Sequence, residues 1–177
     1  MSTTHPLDLL HESIAVAGSA MRRAAEVSHA MPTPCPAWTL GTLVRHLADS
    51  AHSLRELLLD EPPGAPPLPG CSAAQAAFAS LDGVVASASR EDDLVMMAAL
   101  MGSYELTLHA WDIDEAASAP GAIPEPLVSE LLTRAPLVLA HGQRSGLFGP
   151  EIPVEAGCTE LDRLLALFGR SGRWRTA

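Results

Sequence analysis

Along the first third of this chain, apolar residues recur at alternating spacings of three and four, the period of a helix that buries one face. Leu7, Leu10, Ile14, Ala17, Met21 and Ala24 form one seam. Pro6 suits the first helical position and Asp8 the first turn, so the pattern predicts a helix from Pro6 to about His29. His5, His11 and His29 fall near its ends or off the seam and read as solvated. Met31-Pro-Thr-Pro-Cys-Pro-Ala-Trp38 follows; three alternating prolines hold the chain extended and forbid helix. Trp38 is expected to plug one end of a bundle. Thr39 then suits the cap of a second helix, Leu40 to about Leu59, with Leu40, Leu43, Val44, Leu47, Ala51, Leu54 and Leu58 on its inner side. His46 sits at the border of that seam and can face inward, whereas His52 points away from it.

Residues 60–71 are a proline-rich connector, long enough to cross a bundle end. Ser72 is the expected cap of a third helix with Ala74, Ala77, Phe78, Leu81 and Val85 inward, ending near Arg90. Glu91-Asp92-Asp93 reads as a solvated break. Periodicity leaves Leu94-Val-Met-Met open as a short strand or the lead-in to a fourth helix, placed at Gly102 to Ser118. Pro120, Gly121 and Pro124 close that helix. A fifth begins at Pro124 and Pro126, with Leu127, Leu131, Leu132, Val138 and Leu139 inward, a kink expected at Pro136, and His141-Gly142 at its end. Phe148 to Glu155 reads as extended. Thr159 to Asp162 resembles a capping box for a short helix, Leu161 to Phe168, stopped by Gly169, and Trp174 is expected to dock on the domain. The pattern as a whole predicts an all-α fold: a four-helix bundle with a long crossover connection, an additional helix and a short C-terminal extension at 142–177, within a single domain spanning 1–177.

Composition agrees. The 177 residues suffice for one domain with a core, and 47% hydrophobic content with only 4% aromatics favours packed helices. A net charge of −10 argues against a nucleic-acid partner, which needs a basic face. Cys35, Cys71 and Cys158 are odd in number and far apart, as expected of reduced thiols. There is no signal-peptide pattern and no apolar run of roughly 18 residues, so a soluble, cytoplasmic protein without a membrane partner is expected. A homodimer would suit a small bundle, although no exposed stripe demands one.

The fourth helix carries the unusual chemistry. Tyr104, Leu108 and Trp111 form one apolar line, and Leu106, Ala110 and Ile113 another. Glu105, His109 and Asp112 fall between them at i, i+4 and i+7, a single polar stripe on a helix otherwise apolar all round. A buried carboxylate is costly unless something positive meets it. Glu105 and His109 can grip one ion, His46 can join from the second helix, and Asp112 is placed to support His109 from behind. Three such ligands leave positions open for water or substrate. Pattern alone leaves equally open a hydrogen-bonded Glu–His pair that merely fixes helix register.

Three ordered blocks carry a resemblance over almost the whole chain. They are Thr33-Pro-Cys-Pro-Ala-Trp-Thr-Leu-Gly-Thr-Leu-Val-Arg-His46-Leu, Glu105-Leu-Thr-Leu-His109-Ala-Trp-Asp112-Ile, and Phe148-Gly-Pro-Glu-Ile-Pro-Val with Leu161-Asp-Arg-Leu-Leu-Ala-Leu-Phe-Gly-Arg170. Together they resemble the actinobacterial metal-binding proteins related to mycothiol-dependent maleylpyruvate isomerase, within the DinB/YfiT-like superfamily of four-helix bundles. The resemblance implies a DinB-like bundle with a divalent metal, zinc first and nickel as an alternative, held by His46, Glu105 and His109. It also implies mycothiol, a low-molecular-weight thiol, as cosubstrate, and a transferase or isomerase acting on a small electrophilic substrate. No thiol-binding residue follows from any motif. A noncatalytic metal- or small-molecule-binding module is the alternative, and a metal-dependent hydrolase sharing the same site is a third reading.

Overall fold

Helix starts are set by side chains that satisfy otherwise unpaired amides. In the computed structural model, which describes residues 4–119, 121–141, 148–172 and 174, His5 is such a cap: its ring accepts from the Leu7 amide at 3.2 Å. Helix α1 (Pro6–Ala24) follows, with the whole expected seam buried. It ends five residues short of His29, because Ser28, Glu26 and His29 offer no apolar side chain to continue the seam, and the Ala25 to Val27 amides close turns onto Met21, Arg23 and Ala24 carbonyls. Thr39 caps α2 (Leu40–Leu58) by accepting from the Thr42 amide. Helix α3 (Cys71–Val85) starts at Gly70, whose φ of 114° is open only to glycine, without a side-chain cap; Ser72 lies inside the helix. It stops before Arg90, which instead turns back and grips Asp8 at 3.0 and 2.8 Å.

Helix α4 (Asp93–Ala116) begins well before Gly102, the expected start. The Asp92 carboxylate accepts from both the Leu94 and Val95 amides, so the acidic triplet is an N-terminal cap in favourable contact with the helix dipole. Leu94 to Met97 are therefore helical. Helices α5 (Glu125–His141), which contains Pro136, and α6 (Glu160–Leu167) complete six helices, with no strand, among the described residues. The expected capping box is present: Thr159 accepts from the Asp162 amide and Asp162 from the Thr159 amide. The chain is all-α as expected, a bundle with an additional helix and a C-terminal extension. No described helix is long and apolar enough to cross a membrane.

Residues 4–122 form one compact unit, the bundle proper, and residues 123 onward contribute to a second. In the first, α1 packs on α4 and α3, and α2 packs on the same two helices, so α1 and α2 sit diagonally. Pairings fix the directions. Arg90 on Asp8 and Asp82 on His11 run α1 and α3 antiparallel. Thr107 on Ser13 and Asp114 on Arg23 run α1 and α4 parallel, while His46 against His109 and Leu54 against Gly102 run α2 and α4 antiparallel. Consequently α2 and α3 are parallel neighbours, and the proline-rich connector is the crossover that joins them. In the second unit α5 packs on α6, Phe148 meets Phe168 edge-on at 4.8 Å, and Trp174 is half-buried, its amide on the Ser171 carbonyl. A Cβ at Gly169 would sit 2.7 Å from Gly149 Cα, so that approach requires glycine. The His141 side chain and Gly142 lie outside the described residues.

One ion pair locks the α1–α4 seam. Asp114, 4% exposed, takes both Arg23 hydrogen bonds at 2.7 Å and a third from the Gly121 amide. Removing only the cation strands a buried carboxylate. We expect Arg23→Met to cost about 3 kcal/mol of unfolding free energy in urea, and Arg23→Met with Asp114→Leu to recover most of it. A loss below about 0.5 kcal/mol for the single variant would show that solvent screens the pair.

Candidate metal centre

The buried polar residues of α4 divide between two neighbours. Thr107 donates to Ser13 of α1 at 3.0 Å, and Ser103 donates to the Ala99 carbonyl, so that side is satisfied internally. The stripe of Glu105, His109 and Asp112 carries the remainder. Asp112 is fully buried, and its Oδ2 accepts from His109 Nδ1 at 2.8 Å. That donation leaves His109 Nε2 with its lone pair on the opposite side of the ring, where Glu105 Oε2 lies 3.7 Å away. His46 arrives from α2 with Nε2 2.5 Å from Glu105 Oε1, and Ser50, one turn along, donates to the same oxygen at 2.9 Å. His46 thus faces inward. His52 does not join; it lies 3.1 Å from Glu56 of its own helix.

His46, Glu105 and His109 each offer a ligand atom within 4.8 Å of the others. A divalent ion with bonds of about 2.0–2.1 Å separates neighbouring ligand atoms by roughly 3.3 Å, so this donor set needs only small rotations to close on one. Two imidazole nitrogens and a carboxylate are also the chemistry that zinc or nickel accepts. The second carboxylate, Asp112, is placed on the far side of His109, where it fixes tautomer and ring orientation.

Three participants escaped the sequence reading. The prolines at 32, 34 and 36 do not hold the chain simply extended: the segment folds back, with Thr33 N bonded to the Trp38 carbonyl, Leu40 N to the Met31 carbonyl, and Ala37 at a φ of 65°. The Thr33 hydroxyl bonds the Cys35 amide and the Trp38 carbonyl, pinning the loop. The fold-back delivers Cys35, whose thiol donates to Asp112 Oδ2 at 3.2 Å and lies 3.7 Å from His109 Nδ1. It also delivers Trp38, which stacks on the His109 ring at 6.0 Å and meets His46 edge-on at 4.8 Å. Trp38 is therefore a wall of this site. Cys35, His109 and Asp112 form a second set within 4.8 Å, on the Nδ1 side of the same imidazole. The third, Ser50, signalled itself only as one helical turn beyond His46. A cavity of about 440 Å³ in the C-terminal unit, lined by residues such as Ile152, Glu155 and Arg170, contains none of these groups.

Burial by itself would raise the Glu105 pKa. The hydrogen bond from His46, the charges of His109 and His46, and the Ser50 hydroxyl outweigh it and hold the carboxyl at about 2. A carboxylate lowered in the folded state stabilises the fold above its unfolded value near 4.5 and loses that contribution as pH falls toward 2. In metal-free protein, Glu105→Gln should therefore flatten the fall in stability between about pH 4.5 and 2, by about 1–2 kcal/mol once partial exposure is discounted. Urea titrations across that range check it; unchanged slopes would mean the His46–Glu105 pair is not formed in solution.

A family model described as the mycothiol maleylpyruvate isomerase N-terminal domain matches residues 10–138, well over half of the chain and a range within which His46, Glu105 and His109 lie. No curated protein and no solved structure matches significantly.

Proposed function

The chain belongs to the mycothiol maleylpyruvate isomerase N-terminal domain family, and on that premise we propose that it binds one divalent ion through His46, Glu105 and His109 and acts on a small electrophile with a low-molecular-weight thiol such as mycothiol. The observation that carries the reading is Glu105 set between two imidazoles, one on α2 and one on α4. A register-fixing pair would need only one of them. When bound, such an ion supplies the positive charge that lowers a thiol's pKa and favours its nucleophilic thiolate. The chain's own residues do the rest. Asp112 holds His109 in one tautomer, Ser50 fixes the Glu105 rotamer, and Trp38 covers both rings on one side and limits water there. Transfer of the thiol to the electrophile, or its thiol-assisted isomerisation, is the reaction class this arrangement suits.

Metal titration followed by elemental analysis should give about one equivalent of zinc or nickel per chain, and Asp112→Ala should weaken affinity about 10–100-fold. Less than about a tenth of an equivalent, with His46→Ala indistinguishable from wild type, would sink the reading. In cobalt-loaded protein, added thiol should produce a thiolate charge-transfer band. Metal without that band points to a noncatalytic module or to hydrolysis.

A further inference from the structure

Immediately beside Glu105, the face between α2 and α4 opens into a groove of about 600 Å³, in the range of small-molecule sites. Its polar end is Ser50, Ser53 and Glu105; the rest is Leu54, Leu57, Leu94, Met97, Met101 and Leu106 with neighbouring small residues. Leu57 and Leu94 at the far rim are 59% and 80% exposed, a costly arrangement for leucines that nothing in the bundle covers. From Glu105 to Leu94 along α4 the groove extends roughly 16 Å at the helical rise. Gly102 forms part of its floor: a Cβ there would meet Leu54 Cδ2 at 2.3 Å, so the glycine lets Leu54 lie flat against α4 and keeps the groove open. Two methionines on one wall adapt to apolar ligands of differing shape.

We propose that this groove holds the apolar body of the substrate, an unbranched alkyl chain, and presents its single polar, electrophilic head at Glu105. Continuity decides the occupant. The groove shares Ser50 and Glu105 with the donor set, so a ligand lying in it ends at the metal position. Among the described residues the far end is lined by leucine and methionine, with no cation to receive a second charged head. The inference rests on the metal reading for the head and on the groove alone for the body, and the two can be tested apart.

Two homologous series separate them. Alkyl hydroxamates, which chelate metal, are titrated into the metal-loaded protein from acetohydroxamate to octanohydroxamate; n-alkanols from butanol to octanol are titrated into the metal-free protein. Each added methylene should tighten binding about two- to fourfold in both series. Leu57→Ser with Leu94→Ser changes exposed residues only, and should weaken the longest members about tenfold while leaving acetohydroxamate unchanged. Chain-length dependence among the alkanols, with no headgroup gain in the presence of metal, would uphold the groove and overturn the metal reading. Affinity independent of chain length in both series would overturn the groove, as would a dimer in sedimentation that the double variant dissociates, because a second copy would then be its occupant.

Discussion

The hydrogen bond between His109 Nδ1 and the fully buried Asp112 carboxylate orders the rest of this site. A carboxylate with no access to water must be met by donors, and α4 supplies one three residues back while the 31–39 loop supplies another, the Cys35 thiol. Once Asp112 has claimed Nδ1, the opposite nitrogen of His109 can only look toward Glu105 and α2. The inner carboxylate and the outer one therefore sit on opposite sides of one imidazole. Two carboxyl groups thus flank a single ring, a pairing whose charge a single divalent cation would balance.

That constraint also explains why α4 is built as it is. It is apolar around most of its circumference because it runs between α1 and α2, and three of its polar residues reach across to those neighbours: Thr107 meets Ser13, Asp114 meets Arg23, and Glu105 meets Ser50 and His46. The antiparallel run of α2 against α4 places His46 beside Glu105. The parallel α2–α3 pair, made affordable by the long connector, leaves α2 free to keep that position while α3 closes the far side of the bundle.

Much of this was legible in residue order. The seams of α1 and α2 and the i, i+4, i+7 stripe of α4 are local periodicities, and periodicity survives folding. His46 was readable as inward-capable because wheel position is also local. What was not legible depended on where backbone turns point. The prolines around Cys35 announce an irregular segment, but the fold-back arises from Thr33 hydroxyl bonds and a left-handed Ala37, neither of which has a period. Trp38 was read as a plug for that reason and is instead a wall over two imidazoles. The early start of α4 turned on Asp92 acting as a cap, where the same three acids read equally well as solvated surface.

The proposed metal lies on the Nε2 side of His109, with Cys35 on the Nδ1 side, bonded to Asp112. X-ray absorption of the zinc-loaded protein in thiol-free buffer tests that placement most directly. The prediction is a shell of nitrogen and oxygen only, at about 2.0–2.1 Å, with the outer scattering of two imidazoles. A sulfur scatterer at about 2.3 Å would put the ion on Cys35, His109 and Asp112 instead, and would overturn the proposed His46, Glu105 and His109 site.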